Sequence, residues 1–355
     1  MAVNLDVITA KAEHLLKRLI SIPSLSREED FTADLLFDHL KENGNEPKRL
    51  KNNVYAFSKD FDSDKPTVLL NSHHDTVKPA KGWTKDPFSA TIENDRIYGL
   101  GSNDAGASLV CLLYTFAYLN EQSRDYNLIF AATAEEEISG KNGIELLLPE
   151  LGKIDLGIVG EPTQMNLAVA EKGLMVLDVE TLGESGHAAR EEGENAIYKA
   201  LKDIQWFRTF RFPKSSDLLG EVKMTVTQIQ SGTQHNVVPD SCKFVVDVRT
   251  VETYSNQETL KIIKENVTSP VEARSTRLNS SGVELEHPIV KKGVELGMKT
   301  YGSPTLSDQA LMAFKTIKIG PGDSARSHTA DEYILKAEIR GGMEKYLMLL
   351  EGLKI

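Results

Sequence analysis

Thr67-Val68-Leu69-Leu70-Asn71, followed at once by Ser72-His73-His74-Asp75-Thr76, is the stretch on which the fold turns. The first half is a short, nearly unbroken apolar run, the pattern of a strand buried on both faces. The second half is polar and carries imidazole and carboxylate. The same arrangement recurs along the chain. NLIFAA at 127–132 precedes Thr133-Ala134-Glu135-Glu136-Glu137, and LGIVG at 156–160 precedes Glu161-Pro162-Thr163. TIKIG at 316–320 precedes Pro321-Gly322-Asp323-Ser324, with His328 close behind. Helical stretches separate these runs, notably residues 106–120. Strands alternating with helices predict an α/β fold with a largely parallel sheet.

Working outward, the N-terminal segment reads as two helices. Leu5, Ile8, Ala12, Leu15 and Leu19 form one apolar stripe. A second helix follows Ser26, where Ser26 and Glu29 match a capping box and Gly44 supplies a stop. The middle of the chain has a different texture. Alternation from Gly173, a helix near 195–207, strands at 223–230 and 243–250, a helix near 257–266 and a strand at 271–277 give β-α-β-β-α-β. That order is the ferredoxin-like arrangement. The expected organisation is a discontinuous α/β domain of residues 1–172 and 278–355, interrupted by an inserted ferredoxin-like α+β domain at 173–277.

The 355 residues fit about two domains at ~150 residues each. A 40% hydrophobic and 26% charged composition is that of a globular chain with a sizeable core. Acids outnumber bases 52 to 41, giving a net charge of −11. That balance argues against nucleic acid or an anionic membrane surface as partner. No apolar run approaches the ~18–20 residues of a membrane span, and the N-terminus lacks a signal-peptide core. The expectation is a soluble cytoplasmic protein with a small-molecule substrate. Cys111 and Cys242 are too few for a disulfide framework and read as buried small hydrophobes.

In open α/β sheets the ligand crevice lies beyond the carboxyl ends of the strands. Four strand ends therefore deliver His, Asp and Glu to one edge, a donor set suited to zinc and its first-row neighbours. The loop Tyr98-Gly99-Leu100-Gly101-Ser102-Asn103-Asp104 adds a carboxylate just before a helix. Its glycine spacing is not that of a dinucleotide site, and Asp104 would repel a phosphate. A carboxylate able to bridge two metals fits better. His14 and His39 fall on amphipathic helices, His74 points away from His73 in extended chain, and His235 and His287 show no partner.

With these pieces in family order, the chain resembles the M20 metallopeptidases and deacylases, and within them most nearly the acetylornithine deacetylase group. The matching pieces are HHD with His73 and Asp75, YGLGSND ending at Asp104, and AEEE ending at Glu137. GEPT with Glu161, SGHAA with His187, HNVVPD with Asn236 and PGDSARSH ending at His328 complete the set. The resemblance implies two zinc ions, for which cobalt or another first-row divalent metal can substitute. His73, Asp104 and Glu161 would hold one ion; Asp104, Glu137 and His328 would hold the other. Asp75 would hydrogen-bond the far nitrogen of His73. Glu136 would be the general base by register with the family's acid run, with Glu135 one residue away as the competing candidate.

The resemblance further implies a cis Asp104–Ala105 peptide, a zinc-binding catalytic domain at 1–172 and 278–355, and a homodimer joined through a lid domain at 173–277. In that dimer His187 would assist the oxyanion of the neighbouring subunit, and Asn236 and Arg249 would hold the substrate carboxylate. Many members carry Met-Lys-Gly after the bridging Asp, where this chain has Ala105-Gly106-Ala107. The implied reaction is removal of an acetyl or succinyl group from ornithine, or from citrulline, in arginine biosynthesis. The rival readings are a dipeptidase or aminopeptidase of the same fold and an inactive member that binds amino acids.

Overall fold

Strands Thr67–His73 and Asn127–Thr133 run side by side in the same direction, paired from Thr67 with Asn127 to His73 with Thr133. The structure, a computed structural model, describes residues 4–355. Leu156–Val159 joins the other side of Thr67–His73 in parallel, and Thr316–Lys318 extends the sheet in parallel beyond it. The four runs read as buried strands thus form the parallel centre of the sheet. Antiparallel neighbours flank them: Asn53–Phe57 beside Asn127–Thr133, with Lys48–Leu50 outside it, and Leu167–Glu171 beside Thr316–Lys318.

The unbroken apolar character of these strands follows from cover on both faces. Val68, Leu70, Leu128 and Phe130 share one core with Leu15, Leu16, Leu112, Phe116 and Tyr346. Those partners come from the helices Leu5–Ile20, Ala107–Leu119 and Lys336–Leu350. The alternate residues Leu69 and Ile129 enter a second core with Ile144, Leu147 and Leu151 from helix Ile144–Leu151. Helix Ala107–Leu119 (ASLVCLLYTFAYL) is apolar nearly all round because nearly every side chain is buried, Cys111 included. Among the described residues no helix is long and apolar enough to cross a membrane.

The chain divides into two compact units. The first comprises residues up to Val169, Gly282–Tyr301 and Ser307–Ile355; the second comprises Ala170–Ser281 and Gly302–Leu306. In the second, the sheet order is Lys223–Ser231, Ser241–Thr250, Gly173–Leu182, Val271–Ala273, antiparallel throughout. Helices Ala196–Thr209 and Asn256–Asn266 complete the β-α-β-β-α-β order. Strand Gly173–Leu182 buries alternate residues, with Met175, Leu177 and Val179 no more than 1% exposed. A one-residue slip would expose all three at about 1.5–3 kcal/mol each, a loss comparable to the whole stability of a small domain. The register is fixed by that cost.

Helix Asp30–Glu42 begins after Glu29, whose side chain makes no capping bond. Ser26 and Glu29 do not form a capping box; their side chains turn toward the strand ends instead.

Candidate metal centre

Because the central strands are parallel, their carboxyl ends share one edge. His73 is the last residue of its strand and is 1% exposed. Its Nδ1 lies 3.0 Å from the main-chain oxygen of Asp75 and 3.4 Å from Asp75 Oδ1. The carbonyl, rather than the carboxylate, is the nearer partner. With Nδ1 so engaged, Nε2 is the lone-pair nitrogen. That Nε2 is buried and makes no hydrogen bond among the described residues. It faces Asp104 Oδ1 at 3.4 Å, Glu161 Oε1 at 3.8 Å and Glu136 Oε2 at 3.9 Å.

Asp104 is delivered by the turn Ser102–Gly106 ahead of helix Ala107–Leu119, and its peptide bond to Ala105 is cis. Its second oxygen, Oδ2, faces His328 Nε2 at 3.6 Å. His328 Nε2 also lies 2.9 Å from Glu137 Oε2. One carboxylate therefore presents each of its oxygens to a different imidazole.

The acid run after Asn127–Thr133 is sorted by its backbone. Glu135 sits in the left-handed region at φ 55°, and its carboxylate accepts hydrogen bonds from the Asn142 amide nitrogens at 2.7 and 3.3 Å. A Cβ at Gly140 would lie 2.0 Å from Glu135 Oε2, so a glycine is needed there. Glu136 and Glu137 instead face the cluster. Their backbone N–H groups donate to Asp75 Oδ1 at 3.0 Å and Oδ2 at 3.2 Å. Ser26 Oγ donates to the same carboxylate at 2.7 Å, and Glu29 Oε1 accepts the Glu135 N–H at 3.2 Å.

The electrostatics of the cluster favour a cation. Burial pushes Glu136 and Glu161 well above the ordinary glutamate range, with neighbouring acids adding to the effect and His73 opposing it. Burial also raises Glu137, against its hydrogen bond from His328. Burial acts to lower His73, yet the facing Glu136, Asp104, Asp75 and Glu161 hold it well above an ordinary imidazole. The hydrogen bond to Glu137 raises His328 to about 9. The acids thus favour positive charge beside both the buried His73 and the exposed His328, whether a proton or a metal ion supplies it. Donor atoms of His73, Asp104 and Glu137, and of His73, Glu136 and Glu161, lie within 4.8 Å of one another and could hold a metal ion. Imidazole nitrogens and carboxylate oxygens around an unpaired buried Nε2 fit a zinc-class metal.

His187, Asn236 and Arg249 belong to the second unit. His187 is exposed and accepts the Ala189 N–H at Nδ1, 3.1 Å away. The neighbouring Ala188 N–H donates to the main-chain oxygen of Asn236 at 3.0 Å. Arg249 donates through Nε and Nη2 to both oxygens of Asp247, at 2.9 and 3.1 Å. Of the unassigned histidines, His74 is held between Thr32 Oγ1 and the Asn52 carbonyl at 2.9 and 2.8 Å, and burial lowers it to about 4. It is a packed, neutral residue.

Two further buried acids, Asp308 and Glu332, leave only a faint signal in the sequence. Asp308 accepts hydrogen bonds from Asn71 Nδ2 at 2.9 Å and Thr133 Oγ1 at 2.8 Å, tying together two of the parallel strands. Glu332, 2% exposed, takes the backbone of the Asp104 loop. Each is an acid set beside apolar chain, Asp308 before Ala310-Leu311-Met312 and Glu332 before Tyr333-Ile334-Leu335. That placement is the one clue available.

A largely parallel α/β sheet whose carboxyl edge gathers half-buried carboxylates beside the buried His73 and the exposed His328 fits a metal-dependent hydrolase. The model of "Peptidase family M20/M25/M40" matches residues 69–352, and the chain belongs to that family. It is 27% identical over 290 residues to an acetylornithine deacetylase of Buchnera aphidicola, covering 75% of each chain. It is also 27% identical over 363 residues to the LysW-lysine/LysW-ornithine hydrolase of Sulfurisphaera tokodaii, covering 99% of each. The crystal structure of aminopeptidase PepT from Bacillus cereus shares the fold at a TM-score of 0.77 and 18% identity, over 97% of this chain and 98% of that one.

Proposed function

We propose that this protein hydrolyses the amide bond of an N-acyl amino acid, N-acetyl- or N-succinyl-ornithine or the corresponding citrulline derivative, in arginine biosynthesis. The observation that carries the reading of the site is Asp104, whose two oxygens face His73 and His328 separately. That is the arrangement expected of a carboxylate spanning two ions. We assign His73, Asp104 and Glu161 to one zinc ion and Asp104, Glu137 and His328 to the other. The choice of substrate is supported by the acetylornithine deacetylase and the LysW-lysine/LysW-ornithine hydrolase among the relatives.

Amide hydrolysis requires that a water lose a proton, that the carbonyl oxygen take up negative charge, and that the leaving amine gain a proton. Lewis acidity toward the carbonyl and the water is what the ions supply when bound. Glu136 accepts the water's proton on an ε oxygen and returns it to the amine nitrogen. Glu135 is spent on Asn142 and does not compete for this role. Asp75 orients His73 and holds the backbone that carries Glu136 and Glu137. A fixed donor beside the developing oxyanion is worth about 2.7–4 kcal/mol. We assign that donor to His187 of a second copy in a cytoplasmic homodimer joined through the second unit. Asn236 and Arg249 are assigned to the substrate carboxylate, with Arg249 Nη1 the nitrogen not engaged by Asp247.

The test is a zinc-loaded protein assayed against N-acetylornithine, N-succinylornithine, N-acetylcitrulline and a panel of dipeptides. Turnover of an N-acyl amino acid, with two ions bound per chain, is expected. Hydrolysis of dipeptides with no N-acyl turnover overturns the substrate assignment, and a single tight ion giving full activity overturns the bridge.

A further inference from the structure

The loop that carries Asp104 is held from behind by one buried side chain. Glu332 Oε1 accepts the backbone N–H of Asn103 at 2.8 Å and of Asp104 itself at 3.0 Å. Glu332 Oε2 accepts the N–H of Gly101 at 3.1 Å. Three backbone donors from four consecutive residues thus converge on one carboxylate that is 2% exposed. The main-chain oxygen of Glu332 takes a fourth, the Gly99 N–H, at 3.0 Å.

Glu332 is itself well anchored. It immediately precedes strand Tyr333–Leu335, which pairs antiparallel with Arg96–Tyr98, Tyr333 opposite Tyr98. The same pairing thus brings the start of the Asp104 loop beside Glu332. Four residues before Glu332 comes His328. The Asn103 side chain closes the connection from the other direction. Its Nδ2 donates to the Asp323 carbonyl and its Oδ1 accepts the Asp323 N–H, both at 3.0 Å. A Cβ at Gly322 would lie 2.3 Å from Asn103 Oδ1, so the chain passes close only because that residue is glycine. The loop bearing Asp104 and the segment bearing His328 are therefore locked to each other at both ends.

A loop rich in glycine does not by itself hold a side chain to the tolerance that metal chemistry requires. Groups behind metal ligands commonly fix ligand orientation. We propose that Glu332 is a positioning residue that sets the Asp104 backbone and so aims its two oxygens at His73 and His328, an inference that rests on the bridging role assigned to Asp104. The glutamate has the length and the acceptor capacity this task needs. Aspartate is shorter by one methylene and cannot reach all three N–H groups. Glutamine keeps the shape but retains one acceptor oxygen and turns an amide N–H₂ toward a backbone N–H.

The experiment compares wild type with Glu332→Gln and Glu332→Asp, with Asp104→Asn as a separate control. Metal affinity is measured by competition with a chelator, kcat and KM are measured on the substrate identified above, and the visible spectrum is recorded for the cobalt-loaded proteins. Far-ultraviolet circular dichroism monitors the fold. For a folded Glu332→Gln the expected result is metal affinity or kcat lowered about 10–100-fold. KM should change little, and the cobalt bands should be altered in position and intensity. Glu332→Asp should show the same pattern. Wild-type affinity, kcat and cobalt spectrum in either folded variant overturn the proposal. So does a loss confined to thermal stability, or failure of both variants to fold, since either makes Glu332 a determinant of folding alone. If Asp104→Asn keeps two ions with wild-type affinity and spectrum, the bridge itself is wrong, a result read independently of any change at Glu332.

Discussion

Replacing Asp75 by Asn tests how the acid run is held, and its cost can be worked from the contacts. The Asp75 carboxylate is buried and receives three donors, Ser26 Oγ and the backbone N–H groups of Glu136 and Glu137, with His73 Nδ1 beside it. An amide of the same shape offers one acceptor oxygen and an N–H₂ group. Ser26 can adapt, because a hydroxyl rotates to accept as readily as to donate. A peptide N–H cannot. One of the two backbone donors therefore faces an N–H₂ group with no acceptor, which costs about 1–3 kcal/mol. Ser26→Ala removes only one donor and leaves both backbone bonds intact, so it should cost about 0.5–1.5 kcal/mol. Urea unfolding of the metal-free proteins should rank wild type above Ser26→Ala above Asp75→Asn. With a slope of about 2 kcal/mol per molar urea, a 2 kcal/mol loss moves the midpoint by about 1 M. Zinc-loaded Asp75→Asn should also lose about 10–100-fold in turnover or metal affinity, because Glu136 and Glu137 share the displaced backbone. A variant with the wild-type midpoint and turnover would refute the view that Asp75 holds the run, and a larger loss in Ser26→Ala would refute the ranking.

Glu136→Gln should keep its metal and lose about 10²–10⁴-fold in turnover, whereas Glu137→Gln should lose metal affinity; elemental analysis beside kinetics checks both, and exchanged phenotypes would shift the acid run by one residue. Chelation should lower the thermal midpoint, since the converging carboxylates then lack a counter-cation, and zinc at 100 times its dissociation constant should restore about 2.7 kcal/mol; a midpoint indifferent to metal would contradict the donor assignments. Mixing inactive His187→Ala with inactive Glu136→Gln should regain activity, because one site of the mixed dimer keeps both residues; confirmed heterodimers without recovery would rule out action in trans.

What the sequence discloses about this fold depends on how far apart the cooperating residues lie. The parallel centre is legible because burial on both faces leaves a local mark, as in TVLL and NLIFAA, and the acids that follow sit within a few residues of each strand end. The second unit is legible for the complementary reason, since Gly173–Leu182 buries one face and so alternates. The supports of the site leave no such mark. Ser-x-x-Glu at Ser26 and Glu29 reads as a capping box because that motif is local, yet the partners are Asp75 and the Glu135 amide, 49 and 106 residues away. Glu332 meets Asp104 across 228 positions, and Asp308 meets Asn71 across 237. The groups that bear the chemistry lie at ends of local elements and can be read one at a time. The groups that aim them are buried acceptors for backbone N–H groups or for side chains on other strands. A buried carboxylate is costly to place unless several donors meet it. Asp75, Glu332, Glu29 and Asp308 each meet at least two. Asp75, Glu332, Glu29 and Asp308, each met by donors from the protein, thus hold the strand ends and the loop from which the remaining carboxylates converge on His73 and His328.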